Sequence, residues 1–338
     1  MPELSPNISI IIPVYNCIQD LEHCLNSIMN QTFEQWEAIC VDDGSFDGSG
    51  KFLDDFAAKD PRFKIIHQKN AGAAAARNTG LAHVTAPYIL MIDADDYVDC
   101  QYLEKMYKAA TQYDVDVVIC ALDRILKNGT VISPSFLLEA GKHPSTGAQL
   151  FISVSPGPVT KLFKTDIIKQ HHLKFPEGVV IGEDYLFVSA YWMYTKSLYN
   201  INEALYHYKD SESSVTKKFK DGTLSLSVYE QTLALPYTIF KSVEKAENLA
   251  QPREAWYQTL LIAHLREQDW VINDGVKNKS DKQLLRKQER GYYHEIAKKV
   301  PFWTRFKILY SYYIFWNRGR FFRIAGKIKR LLLGKRKS

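Results

Sequence analysis

An α/β fold is predicted for this 338-residue chain: a Rossmann-like, mostly parallel sheet flanked by helices, followed by a helical C-terminal extension. Three observations carry that expectation. Apolar, β-branched runs alternate with amphipathic helical stripes over the first 120 residues, the β-α-β-α order of a parallel sheet covered on both faces. Acidic, Gly-rich and Asn-rich segments follow those apolar runs, and in such sheets ligands bind beyond the carboxyl ends of the strands. From about residue 222 onward only helical periodicity remains.

The first strand is "ISIII" (8–12), closed by Pro13. Leu21, Cys24, Leu25 and Ile28 follow at i, i+3, i+4, i+7, one apolar face of a helix. "WEAICV" (36–41) is the second strand and runs into "DDGSFDGSG". Helical spacing returns at Phe52, Leu53, Phe56 and Ala57, then "FKII" (63–66) makes a third short strand. "GAAAARNTGLAHV" (72–84) is rich in good helix formers, and "YILMI" (88–92) is a fourth strand. Tyr102, Leu103, Met106 and Tyr107 mark the next helix, and "VDVVIC" (115–120) a fifth strand. "KNGT" (127–130) is a hairpin turn signal. "GEDYLFVSAYWM" (182–193) opens a helix with acids in its first turn, where the helix dipole favours them.

Apolar residues make up 46% of the chain and charged residues 24%, the composition of a globular protein with core to spare. Five cysteines, with no C-x-x-C pair, read as small hydrophobes in a reducing compartment rather than a disulfide or zinc framework. "MPELSPNIS" lacks the basic start and long apolar run of a signal peptide, and no stretch approaches the length of a membrane span. The expected location is the cytosol. Net charge is +5, unevenly placed: residues 301–338 hold 11 Lys or Arg and no acid, leaving the first 300 residues at −6.

The chemistry gathers at the strand ends. "MIDADDY" (91–97) crowds Asp93, Asp95 and Asp96 at the mouth of an apolar strand. A helix cap at Asp96 or Asp99 accounts for one carboxylate, not three. Like charges this close need a cation or a proton between them, and hard divalent ions such as Mn²⁺ or Mg²⁺ take oxygen ligands of this kind. An EF-hand is excluded because Tyr97 and Val98 stand where it needs an acid or Asn and then Gly. No Walker A loop occurs. In "VDDGS" (41–45), Asp42 and Asp43 suit either a turn or acceptance of a nucleobase imide N–H. Arg77, in "NAGAAAARNTG", can bind a diphosphate or the neighbouring carboxylates.

"ISIIIPVYN", "VDDGSFDGS", "NAGAAAARNTGL", "YILMIDADDYV" and "IGEDYLF" stand in this order, and together they resemble the signature of family 2 inverting glycosyltransferases of bacterial cell-surface glycan synthesis. The resemblance is strong over 8–98 and looser over 159–217, where "VTKLFKTDII" and "YHYKDSESSVTK" fall. It implies a GT-A fold, a nucleotide-diphosphate sugar donor, and Mn²⁺ or Mg²⁺. Pro13 and Tyr15 would border the base, Asp43 with Asp42 would read uracil, and Asn70 and Arg77 would line the nucleotide site. Asp93 and Ala94 would sit near the ribose, Asp95 with Asp93 would bind metal, and Asp184 would be the catalytic base. His207 and residues 213–217 would close over the diphosphate. The implied division is a catalytic domain over 1–220 and a helical region over 221–338. The activity expected is hexosyl transfer from a UDP-sugar to a glycan or glycolipid of lipooligosaccharide, O-antigen or capsule type. A D-x-D phosphohydrolase and an inactive sugar-nucleotide or glycan binder are the alternatives. The basic, aromatic tail (301–338) is expected to lie on the anionic inner face of the cytoplasmic membrane, with packing on the chain's own acidic body as the alternative, rather than to bind nucleic acid.

Overall fold

A computed structural model describes residues 5–133, 138–144, 157–210, 215–268, 271–272 and 275–316. The sheet runs in the order β3-β2-β1-β4-β9-β6-β10-β5, with β7 paired to β6 and β8 to β10. Its strands are β1 (Ile8–Val14), β2 (Trp36–Asp42), β3 (Phe63–His67), β4 (Tyr88–Met91), β5 (Tyr97–Val98), β6 (Val117–Ile125), β7 (Val131–Ile132), β8 (Gly141–Pro144), β9 (Lys161–Lys164) and β10 (Ser197–Lys209). The long pairings, β1 with β2 and β4, β2 with β3, and β6 with β10, are parallel. The short ones, which bring in β5, β7, β8 and β9, are antiparallel.

The crossovers of the first half are α1 (Ile18–Met29), α2 (Ser49–Ala57), α3 (Ala73–Ala82) and α4 (Tyr102–Tyr113). Leu21, Cys24, Leu25 and Ile28 are all buried, as their spacing requires. β1 is buried along almost its whole length because helices cover both faces. The "KNGT" turn closes the β6–β7 hairpin, with Gly129 at φ +79°. That positive φ is open to glycine at no steric cost.

After β9 come α5 (Thr165–Gln170) and α6 (Glu183–Trp192). Beyond β10 the described residues are helical: α7 (Val215–Asp221), α8 (Leu226–Leu233), α9 (Leu235–Lys245), α10 (Arg253–Gln268), α11 (Lys279–Lys298) and α12 (Phe302–Trp316). These helices share a core with the sheet. Ile239, Phe240, Trp256 and Ile296 belong to the same buried cluster as Phe187 and Tyr191 of α6 and Ile89 and Met91 of β4. The cysteines are all free, with Cys24, Cys40 and Cys120 buried and Cys100 exposed.

The strand order sets the place of the site. The chain winds outward from β1 through β2 to β3, then returns to place β4 on the other side of β1. A crevice opens at such a reversal, past the carboxyl ends of the strands. The segments after β1, β2 and β4 all end there.

Candidate active site

The loop after β1 and the loop after β2 are fastened to each other. Asn16, at φ +49°, donates its backbone N–H to Ser45 Oγ (3.0 Å) and accepts the Phe46 N–H on Oδ1 (2.9 Å). This pairing presents two aromatic rings to solvent. Tyr15 is 49% exposed, Phe46 83%, and their rings meet edge to face with centroids 6.3 Å apart. Pro13 lies just inside, in register with Val41. Phe46 was not singled out in the sequence because an aromatic within "DDGSFDGS" reads as a turn residue. Only its exposure beside Tyr15 marks it.

Asp42 and Asp43 take different partners. Asp42 accepts the Ser45 N–H (3.0 Å) and lies 2.9 Å from His67 Nδ1. Burial pushes its carboxyl up, but Ser45 and His67 more than offset this and hold it below the usual range. A Cβ on Gly50 would fall 2.6 Å from Asp42 Oδ2, so the glycine makes room for the carboxylate. Asp43 accepts from Gln68 Nε2 (2.7 Å), Ala71 N (2.9 Å) and Gly72 N (2.8 Å), tying β2 to the start of α3. A carboxylate offers about four acceptor positions, so Asp43 keeps room for one further donor. Asn70 is exposed on the same loop, its backbone packed against Gly44.

The three acids of "DADD" separate clearly. Asp96 is 2% exposed and fastens β10: it accepts the Tyr206 hydroxyl (2.6 Å) and the Lys209 N–H (2.9 Å). Burial and the Asp93 charge push its carboxyl up to about 8. It does not cap α4, whose N-cap is Gln101 without a side-chain cap bond; Asp99 accepts the Gln101 N–H (2.9 Å) in the turn before that helix. Tyr206 also accepts the Asp93 N–H (3.2 Å), so one phenol orients the whole turn. Asp93 stays partly exposed and accepts from Arg77, and Ala94 is buried between the two acids. Asp95 receives no hydrogen bond from another described residue, and burial and Asp93 hold its carboxyl above the usual range.

Arg77 is the hub. Its Nη2 donates to Asp93 Oδ1 (2.8 Å) and its Nη1 to Glu183 Oε1 (3.2 Å), and Phe175 lies 5.4 Å beneath the guanidinium. Arg77 is 7% exposed, so it binds the carboxylates and joins β4 to the start of α6. Among the described residues, the one donor to Asp184, next to Glu183, is its own helix's Tyr185 N–H (2.6 Å). Burial, then Glu183, raises its carboxyl to about 6, against the lowering effects of the Tyr185 N–H and Arg77. Lys161 is wholly buried, and its ammonium donates to Gly157 O (2.5 Å). Burial brings it down to about 7, with Cys120 and Asp184 opposing.

His207 is packed among aromatic rings. It stacks on Tyr97 (4.7 Å), whose other face carries His23 (4.2 Å), and burial lowers its pKa. Of the segment 213–217, residues 213 and 214 lie outside the described residues and Val215 begins α7.

The donor set suits an oxygen-liganded divalent cation. Asp95 is uncommitted, Asp93 has one oxygen engaged, and no group of three His, Cys, Asp or Glu among the described residues could hold a metal unaided. Mg²⁺-like ions are commonly held by one or two carboxylates, with substrate phosphates and water completing the shell.

Residues 9–164 match the family described as Glycosyl transferase family 2. That match covers just under half of the chain. It is similar to the uncharacterized glycosyltransferase EpsJ of Bacillus subtilis, 30% identical over 63% of this chain and 63% of EpsJ. It also resembles the putative glycosyltransferase EpsH of the same organism, 29% identical over 77% of this chain and 75% of EpsH. The chain thus spans just under two thirds of the length of EpsJ. In fold it is similar to S. aureus TarS residues 1–349 in complex with UDP-GlcNAc, with a TM-score of 0.71 at 20% identity, over 88% of this chain and 82% of that one. The matched region has the GT-A fold, as its motifs lead one to expect.

Proposed function

We propose that this protein is a metal-dependent, inverting glycosyltransferase that moves a sugar from a UDP-sugar to a hydroxyl of a cell-surface glycan or glycolipid. The observation that carries the reading is the ion-paired line Asp93–Arg77–Glu183, which ties the acids after β4 to the start of α6, with Asp95 and the raised Asp184 close in sequence to its two ends. The UDP-GlcNAc complex of the structurally similar TarS supports a uracil nucleotide as donor.

In this reading Tyr15 and Phe46 flank the base, and the open acceptor position of Asp43 takes the uracil imide N–H. Asn70 lies beside that base on the loop leading to α3. Asp95 and Asp93 would hold Mn²⁺ or Mg²⁺, which would supply positive charge to offset the negative charge growing on the departing diphosphate. Arg77 keeps Asp93 aimed by the hydrogen bond to its Oδ1. Asp184 accepts the proton of the acceptor hydroxyl as that oxygen attacks the anomeric carbon from the face opposite UDP. A carboxylate raised to about 6 is still ionised at neutral pH and is a stronger base than an ordinary one.

The aromatic start of α12 supports a membrane-bound acceptor. Phe302, Trp303 and Phe306 are exposed and in mutual contact, and Arg305 lies over Phe302. No helix among the described residues is long and apolar enough to cross a membrane. Aromatics beside an acid-free basic tail suit the interface of an anionic bilayer. We place the enzyme at the inner face of the cytoplasmic membrane, acting on a lipid-linked precursor.

A screen of UDP-sugars with Mn²⁺, scored by UDP release, tests the activity. Release from one donor that stops in Asp184→Asn is expected. Turnover of p-nitrophenyl phosphate without any nucleotide would instead favour a D-x-D phosphohydrolase.

A further inference from the structure

The segment that leads into Glu183 and Asp184 has no strand or helix of its own between Phe175 and Gly182. Two amide side chains hold it as backbone partners would. On one side Asn78 of α3, adjacent to Arg77, accepts the Phe175 N–H (2.8 Å) and donates to Phe175 O (2.9 Å). On the other side Gln231 of α8 accepts the Val180 N–H (3.1 Å) and donates to Gly178 O (3.2 Å). The segment then turns into α6 through Gly182, at φ +96°. A Cβ there would come within 2.4 Å of Leu235 Cδ1 on α9, so the turn is pressed directly against the helical region.

The clamp has a chemical consequence. A loop left to itself is mobile, whereas proton abstraction needs the base held close to its productive geometry. Misplacement by about 1 Å costs about 100-fold in rate. Asn78 fixes the segment to the nucleotide-side helix. Among the described residues, Gln231 and Leu235, both beyond residue 221, hold the end that leads directly into Glu183 and Asp184, and Ile181 between them packs on the helical cluster around Phe219 and Tyr229. Val180, 49% exposed, stands at the lip of this segment, where an acceptor would pass.

We infer that Gln231 is a positioning residue for the reaction: by clamping Gly178 and Val180 it sets Asp184 and the acceptor-side lip. The helical region is then a working part of the catalytic apparatus and not an appendage. The inference rests on Asp184 being the base, and it adds a residue that no sequence motif marks.

The test uses the full chain, Mn²⁺ and the best UDP-sugar, with water as acceptor, comparing wild type, Asp184→Asn, Gln231→Leu and Gln231→Glu. Leu removes both hydrogen bonds; Glu keeps the acceptor and loses the donor. Calorimetric titration with UDP and Mn²⁺ reports the fraction of folded, donor-competent protein. Gln231→Leu is expected to lower kcat about 100-fold, with UDP stoichiometry, UDP affinity and donor KM within about two-fold of wild type, Gln231→Glu falling between. Turnover of either variant within about three-fold of wild type overturns the clamp. So does a fall in kcat matched by an equal fall in UDP stoichiometry, which marks Gln231 as merely structural. If Gln231→Leu does not fold, Gln231→Glu decides by the same criteria. A wild type that releases no UDP from any donor, or an active Asp184→Asn, overturns the transfer reading itself and the clamp's role with it.

Discussion

The Arg77 guanidinium donates to Asp93 across 2.8 Å, and this contact spans 16 residues of sequence to join α3 to the turn after β4. Because Arg77 also reaches Glu183, one buried cation holds the acids after β4 and the acids that open α6 at a set separation. Arg suits this place: its planar, permanently charged fork bonds two carboxylates at once, which a Lys ammonium on a flexible stem does not reproduce.

Removing that cation leaves two partly buried carboxylates uncompensated. Breaking a buried ion pair from one side costs about 3–5 kcal/mol. Arg77→Met is therefore expected to lower unfolding stability by about that amount, read from the urea midpoint. Arg77→Lys should recover only part of it. A midpoint unchanged in Arg77→Met would mean that the pair contributes nothing to the fold.

Asp184→Asn keeps the shape of the side chain and removes its basicity. We expect a folded protein that binds UDP normally and turns over about 10²- to 10⁴-fold more slowly, the usual worth of a general base. In the wild type the base works only when ionised. Its carboxyl stands at about 6, so kcat should fall about ten-fold per unit as pH drops below 6 and level off above it. A profile flat down to pH 4.5 would contradict the assignment.

Asp95 accepts from no other described residue, so its loss should cost the fold little and the cation site much. Asp95→Ala is expected to abolish the Mn²⁺-dependent part of UDP binding in calorimetry, and excess chelator should do the same to the wild type. Equal UDP affinity with and without Mn²⁺ in both proteins would move the cation elsewhere.

Phe46 and Tyr15 keep their rings in solvent, where each can stack on a base. Base–aromatic stacking is worth about 1–3 kcal/mol per base. Phe46→Ala should weaken UDP binding about ten-fold by that measure, Tyr15→Ala at least as much, with thermal stability unchanged because both side chains are exposed. Phe46→Tyr should bind like wild type.

The exposed aromatics of α12 should hold the protein on anionic lipid. The full chain is expected to sediment with phosphatidylglycerol-rich vesicles at low salt, and the double substitution Trp303→Ser, Phe306→Ser to sediment much less. Equal sedimentation of both proteins would leave the acid-free tail without a membrane role.

Much of this was legible in the chain itself. The alternation of apolar runs and helical stripes determined the parallel half of the sheet, because periodicity is a local property of neighbouring residues. Two of the antiparallel additions, β5 and β9, were not legible: they are two to four residues long and take their hydrogen bonds from distant strands. The site acids were legible as a set, since crowded carboxylates after an apolar strand need a physical reason to be there. Their division of labour was not. Asp96 is committed to Tyr206 and Lys209, 110 and 113 residues away, while Asp95 beside it is left open. Arg77 finds Glu183 across 106 residues, and Gln231 reaches Val180 across 51. Sequence alone determined which residue types stand at the strand ends and which chemistry they permit. The tertiary structure decided which carboxylate is fastened, which is left open, and which helix clamps the segment leading into Asp184, because those outcomes depend on which distant donors the packed core brings within hydrogen-bonding distance.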